Sequence, residues 1–103
     1  MSKLVIIAET KDLLPGTGKV VEADGRSIAL FNVAGTFYAI DNACAHQGGP
    51  LGEGDLAGDV VTCPWHGAQF NVKTGAVLAP PAREGVRSFP VKVQGNDLLV
   101  ELD

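Results

Sequence analysis

The chain is written as short apolar runs separated by turn residues. Lys3–Glu9, Lys19–Ala23, Arg26–Val33, Thr36–Ile40, Val60–Thr62, Gln69–Val72, Ser88–Val93 and Asp97–Glu101 each have the length of a strand and a high share of β-branched or aromatic residues. In the seventh run Phe89, Val91 and Val93 alternate with Ser88, Pro90 and Lys92, the period of two expected of a half-buried strand. Pro90 has no N–H to give to a ladder, so that strand is expected at an edge or a bulge. Asp24-Gly25, Ala34-Gly35 and Gly95-Asn96 stand between consecutive runs as two-residue turns and predict antiparallel hairpins. Thirteen glycines and six prolines cut the remainder so finely that little room is left for an amphipathic helix of ordinary length. The expected fold is all-β and antiparallel.

The texture changes between Asp41 and Pro81, a stretch rich in Gly, Pro and Ala with only short apolar runs. The pattern predicts one domain over residues 1–103. Residues 1–40 and 82–103 would form a base sheet, and about 41–81 a small inserted lobe, with Pro80-Pro81 stiffening the return.

Composition narrows the function classes. A chain of 103 residues with 46% hydrophobic positions supports a single modest core, not a large enzyme with its own deep pocket. The run Leu4-Val5-Ile6-Ile7-Ala8 is broken by Glu9 before it reaches the length of a signal-peptide core, and no later run approaches membrane-spanning length. The expectation is a soluble, cytoplasmic protein. Twelve acids against eight bases, a formal charge of -4, argue against nucleic acid and anionic membrane as partners. No Lys or Arg occurs from Ser27 to Val72, while Asp41, Glu53, Asp55 and Asp59 all lie there. That segment suits either a basic patch on a partner or plain solvation.

The chemistry is concentrated in Cys44-Ala45-His46 and, after sixteen intervening residues, Cys63-Pro64-Trp65-His66, which together hold every Cys and His of the chain. In a reducing compartment two cysteines stay as thiols, so ligation is favoured over a Cys44–Cys63 disulfide. Two thiolates and two imidazoles suit tetrahedral zinc or an iron–sulfur cluster of mixed ligation. Zinc fingers usually place their cysteines together and their histidines together. Here each cluster gives one of each, which suits two loops clamping a binuclear centre.

The pattern C-x-H, sixteen residues, C-x-x-H resembles that of the Rieske family, through Cys44-Ala45-His46-Gln47-Gly48-Gly49-Pro50-Leu51 and Cys63-Pro64-Trp65-His66-Gly67-Ala68-Gln69-Phe70. The resemblance implies a β-sandwich or barrel base with an inserted cluster-binding lobe and one [2Fe–2S] cluster per chain. Cys44 and Cys63 would ligate the inner iron and His46 and His66 the outer iron, with Ala79-Pro80-Pro81 as a third covering loop. Two thiolates bring a core of two ferric ions and two sulfides to zero charge, whereas four would make it negative, so mixed ligation raises the potential. Gly49 and Trp65 stand where quinol-oxidising members carry two further cysteines. Ala68 and Phe70 stand where those members offer hydroxyls. The missing donors imply a potential at the low end of the Rieske range of about −150 to +300 mV.

The resemblance thus implies a soluble, monomeric one-electron carrier, not an enzyme. It would pass electrons from a flavin-containing, NAD(P)H-dependent ferredoxin reductase to a terminal, aromatic-ring-hydroxylating oxygenase. The alternatives are a Rieske redox subunit of another reductase system and a zinc-stabilised β binding domain. Gly48, Gly49, Gly67 and Gly75 would let backbone approach the cluster or serve as turns. Trp65 would line the partner-facing surface or pack, and Arg83 and Arg87 would pair within the chain or across to a partner.

Overall fold

The computed structural model describes residues 3–42, 50–65, 67–80 and 84–102. Its strands are β1 (Lys3–Glu9), β2 (Gly18–Ala23), β3 (Arg26–Val33), β4 (Thr36–Asp41), β5 (Asp55–Ala57), β6 (Val60–Thr62), β7 (Gln69–Asn71), β8 (Val77–Ala79), β9 (Ser88–Phe89), β10 (Val91–Gln94) and β11 (Asp97–Leu102). Two 3-10 turns, Thr10–Asp12 and Leu51–Glu53, are the only helical segments among the described residues. The strands pair antiparallel in three sheets of order β1-β11-β10, β2-β3-β4-β9 and β5-β6-β7-β8.

The hairpins follow from turn chemistry. Asp24 and Gly25 have φ of 52° and 79°, and Ala34 and Gly35 have 52° and 95°, the left-handed pair that a type I′ turn needs. Alanine is uncommon at such a φ. The buried Asn32 carboxamide braces that turn, its oxygen accepting from the Gly35 N–H at 2.7 Å and its nitrogen donating to the Leu13 carbonyl at 2.8 Å. Gly95, φ 61°, turns β10 into β11.

Strand β3 explains why its sequence reads as an unbroken apolar run. Ile28 and Leu30 face one cluster, shared with Leu13, Phe89, Leu98, Val100 and Leu102, while Ala29 and Phe31 face another, shared with Ile40, Leu51, Val61, Phe70 and Val72. All four β3 residues are fully buried. The sheet β2-β3-β4-β9 is therefore the middle layer, with the sheet of the two chain ends on one side and the sheet of Asp55–Ala79 on the other.

The ends of the chain form two sheets rather than one. The run expected over Ser88–Val93 is divided at Pro90: Phe89 pairs with Ala39 of β4, and Val91 pairs with Val100 of β11. Proline supplies no N–H at the point where the chain changes sheets, and its carbonyl accepts from Glu101 N at 2.9 Å. The three-residue strands β5 and β8 are additions to the sequence reading; Asp55-Leu56-Ala57 and Val77-Leu78-Ala79 have at most one β-branched residue and no aromatic one to mark them. Gly58, φ 62°, makes the turn that joins β5 to β6. No helix among the described residues is long and apolar enough to cross a membrane.

Candidate metal centre

The β6/β7 hairpin carries the second Cys/His cluster at its tip. Thr62 pairs with Gln69 at the base of the tip, and the Gln69 side-chain amide donates to Thr62 Oγ1 at 3.3 Å. One residue further, the Cys63 N–H donates to the Ala68 carbonyl at 2.7 Å and the Cys63 carbonyl accepts from the Gly67 N–H at 3.1 Å. Gly67 has φ 79°, so the return of this loop needs the left-handed conformation that glycine adopts without strain. The two bonds fix the backbone on both sides of the cysteine before any ligand is considered.

Cys63 is a free cysteine, 2% exposed, on the apolar wall made with Leu51, Val61, Ala68 and Phe70. Pro64 is exposed, and Trp65 is 57% exposed, giving the tip of the loop an apolar outer surface. Trp65 is thus a surface residue, not a packing residue. Ala68 and Phe70 are both fully buried and carry no hydroxyl toward this wall.

The other three expected ligands, Cys44, His46 and His66, lie outside the described residues, as do Gly48, Gly49, Pro81 and Arg83. The residues that flank the first Cys/His cluster, Asn42 and Pro50-Leu51-Gly52, are described. Asn42 is 9% exposed and makes four hydrogen bonds there. Its N–H donates to the Ser27 carbonyl at 3.1 Å, and its carbonyl accepts from Leu51 N at 2.8 Å. Its side-chain nitrogen donates to Ser27 Oγ at 3.1 Å, and its side-chain oxygen accepts from Gly52 N at 2.8 Å. Leu51 is fully buried in the same cluster as Cys63, so the Leu51–Glu53 turn and the β6/β7 tip stand on one piece of core. Gly52 and Gly54 sit where a side chain would strike Val20 and the Lys19 carbonyl, or Thr62, so the Leu51–Glu53 turn can lie close to β2 and β6.

Ala79 pairs with Gln69, which sets the start of the proline segment beside the Cys63 loop. The return path is held at Gly75. Its carbonyl accepts from Val86 N at 2.7 Å, a Cβ there would collide with the Val86 carbonyl, and a Cβ at Gly85 would come within 2.5 Å of the Gly75 carbonyl. Gly75 therefore serves this chain crossing rather than an approach to the Cys63 loop.

The charged residues also find places. Glu53 and Asp55 are exposed, while half-buried Asp59 lies 4.0 Å from Lys73 Nζ. The guanidinium of Arg87 stands 5.3 Å from the Phe89 ring centroid and that of Arg26 5.7 Å, so Arg87 has an intrachain cation–π role.

The donor chemistry fits a mixed-ligand iron–sulfur cluster. A buried, unbridged thiol on an apolar wall is a soft ligand, and the sequence holds one more Cys and two His in its two short Cys/His clusters. Signals for Asn42 and for the Gly75–Gly85 crossing exist in the sequence only as an Asp-Asn pair after an apolar run and as two glycines ten apart.

The chain is similar over most of its length to known proteins. The family model described as "Rieske [2Fe-2S] domain" matches residues 3–90. The biphenyl dioxygenase ferredoxin subunit of Pseudomonas sp. (strain KKS102) is 41% identical over 88 residues, covering 84% of this chain and 81% of that one. Among solved structures, the ferredoxin of carbazole 1,9a-dioxygenase from Nocardioides aromaticivorans IC177 superposes with a TM-score of 0.91 at 32% identity, covering 95% of this chain and 96% of that one. A chain from the complex of reduced oxygenase and oxidized ferredoxin in carbazole 1,9a-dioxygenase superposes at 0.89 with 35% identity, covering 94% and 91%.

Proposed function

Because the chain belongs to the Rieske [2Fe–2S] domain family, we propose that it is the ferredoxin of an aromatic-ring dioxygenase system, taking electrons singly from an NAD(P)H-dependent flavoprotein reductase and delivering them to a terminal oxygenase. It is an electron-transfer component, not an enzyme. The observation that carries the reading is the buried Cys63 thiol on a loop fixed by its own backbone bonds, in a chain whose remaining Cys and His residues complete the C-x-H and C-x-x-H pair. The relatives' names support the dioxygenase setting, and the solved oxygenase–ferredoxin complex supports a terminal oxygenase as the acceptor.

Cys44 and Cys63 would hold one iron of the cluster and His46 and His66 the other, and the group so held would supply reversible one-electron transfer. The chain's own part is to hold these ligands and keep water from the thiolate side. Leu51, Val61, Ala68 and Phe70 form a dry wall behind Cys63. The Cys63–Ala68 and Gly67–Cys63 hydrogen bonds fix the backbone that presents the Cys63 thiol. Exposed Pro64 and Trp65 offer an apolar contact, and exposed Glu53 and Asp55 a negative field for steering. Both histidines belong to the motif, which leaves none for a 2-His-1-carboxylate oxygen-activating site.

The whole chain acts as one domain, with 41–81 as the cluster lobe. Weak, brief docking suits a carrier that must leave each partner, and a cytoplasmic monomer is the form in which it would shuttle. The test is reconstitution: purified protein, reductase and oxygenase with NAD(P)H, following coupled product formation. Transfer that needs this protein supports the proposal; coupling that proceeds unchanged without it rejects it.

A further inference from the structure

The reading of the chain as a cluster carrier leaves open how the first ligand loop is held, and the described residues contain one group suited to it. We infer that Asn42 is the positioning residue of that loop, its carboxamide tying strand β3 to the Leu51–Glu53 turn across the loop's mouth. The inference rests on the proposed function above.

The geometry is specific. Residues 43–49 leave the described chain at Asn42 and rejoin it at Pro50. Asn42 bonds through its backbone and its side chain in both directions: back to Ser27 (N–H to carbonyl, 3.1 Å; Nδ2 to Oγ, 3.1 Å) and forward to Leu51 and Gly52 (carbonyl from Leu51 N–H, 2.8 Å; Oδ1 from Gly52 N–H, 2.8 Å). It is one of only two buried polar or charged residues among those described. The other, Asn32, braces the turn at Gly35. In the sequence Cys44 follows Asn42 by two residues, and Leu51 follows His46 by five. The forward bonds end on Leu51, whose side chain packs in the cluster that contains Cys63. Asn42, at the start of the segment that carries the first Cys/His pair, is thereby tied to the same piece of core that carries Cys63.

A carboxamide is the suitable group because it both donates and accepts. Gly52 N is buried, and without the Asn42 oxygen it would stand unpaired in an apolar surround. Aspartate can replace it, since the Ser27 hydroxyl can turn to donate to a carboxylate. Leucine, similar in size, offers neither bond.

The test uses the holoprotein of wild type, Asn42→Leu, Asn42→Asp, Ser27→Ala and Asn32→Leu. Three quantities are read: the rate of cluster release to an iron chelator well below the melting temperature, the visible circular dichroism of the bound cluster, and the melting temperature itself. Asn42→Leu is expected to speed release about 10–100-fold and to alter the dichroism, the size of effect that loss of a ligand-orienting partner produces. Asn42→Asp should keep release and dichroism near wild type, and Ser27→Ala should speed release by less than Asn42→Leu. Asn32→Leu should lower the melting temperature while leaving both cluster readouts unchanged. Should Asn42→Leu fail to fold, the Ser27→Ala and Asn42→Asp results decide. Normal release from Ser27→Ala, wild-type release and dichroism in Asn42→Leu, or equal effects from Asn32→Leu and Asn42→Leu would each overturn the inference. A wild-type protein that holds no mixed-ligand cluster would instead reject the functional reading, before any variant is compared.

Discussion

On one side of β3, Ile28 and Leu30 meet Leu98, Val100, Leu102 and Phe89 between strands mostly of six to eight residues that the ends of the chain supply. On the other side, Ala29 and Phe31 meet Val61, Phe70, Val72 and Leu51 beneath a sheet whose four strands are three residues long, and there the wall includes Cys63. The first region has ladder length enough to stand as an ordinary β-sandwich. The second has too little ladder to be stable by itself. It depends on the apolar contact with β3, on bonds such as those of Asn42 and Gly75, and on whatever its thiol ligates. The difference teaches that the scaffold and the site are stabilised by separate means while sharing a single strand.

Removing a ligand should separate the two regions most sharply. Cys63→Ser and His66→Ala are each expected to abolish the mixed-ligand visible and electron paramagnetic spectrum while the far-ultraviolet signal of the sheets largely persists. A normal mixed-ligand spectrum in either variant would refute the ligand assignment.

Truncating the two cores at equal depth comes next. Phe70 and Leu98 are both fully buried, so Phe70→Ala should cost about 3–5 kcal/mol and Leu98→Ala about 2–5 kcal/mol in urea unfolding of the holoprotein. Only Phe70→Ala should also accelerate loss of the cluster at low denaturant. Equal acceleration by both would erase the distinction between the regions.

A finer change probes the wall itself. Ala68→Ser or Phe70→Tyr returns a hydroxyl to a fully buried position. Each is expected to raise the reduction potential by about 40 mV, the one-electron equivalent of a hydrogen bond of about 1 kcal/mol. The corresponding hydroxyl in the first core, as in Val100→Thr, should destabilise without moving the potential.

The smallest effect is expected at Lys73, where the ammonium lies 4.0 Å from Asp59 and 5.7 Å from the Tyr38 ring centroid with the ion pair partly exposed. Lys73→Met should change stability by less than about 1 kcal/mol, less still in high salt.

The sequence made the first region legible because long strands display their period and I′ turns require residues that can take positive φ. Asp24-Gly25 and Ala34-Gly35 appear in the structure as the turns their residues predict. The division at Pro90 was half legible: proline announces a break in a ladder, but not that the chain changes sheets there. In the second region all four strands are three residues long; β6 and β7 were legible through Val60-Val61-Thr62 and Phe70, whereas Asp55-Leu56-Ala57 and Val77-Leu78-Ala79 hold no aromatic residue and at most one β-branched one, and their pairing is decided by the register of β6 and β7. The Cys/His spacing named the chemistry because metal ligation constrains residue type so strongly. Asn42 did not stand out, since an Asn after a strand reads as any loop residue until its two partners, fifteen and ten positions away, are seen together.

The most direct test of the account is film voltammetry of the purified holoprotein from neutral to alkaline pH. A single one-electron wave near the low end of the range of about −150 to +300 mV, falling as pH rises, is the predicted result, because losing an imidazole proton adds negative charge and disfavours taking up an electron. A strongly positive potential would contradict the role given to Ala68 and Phe70, and a potential independent of alkaline pH would contradict ligation by His46 and His66.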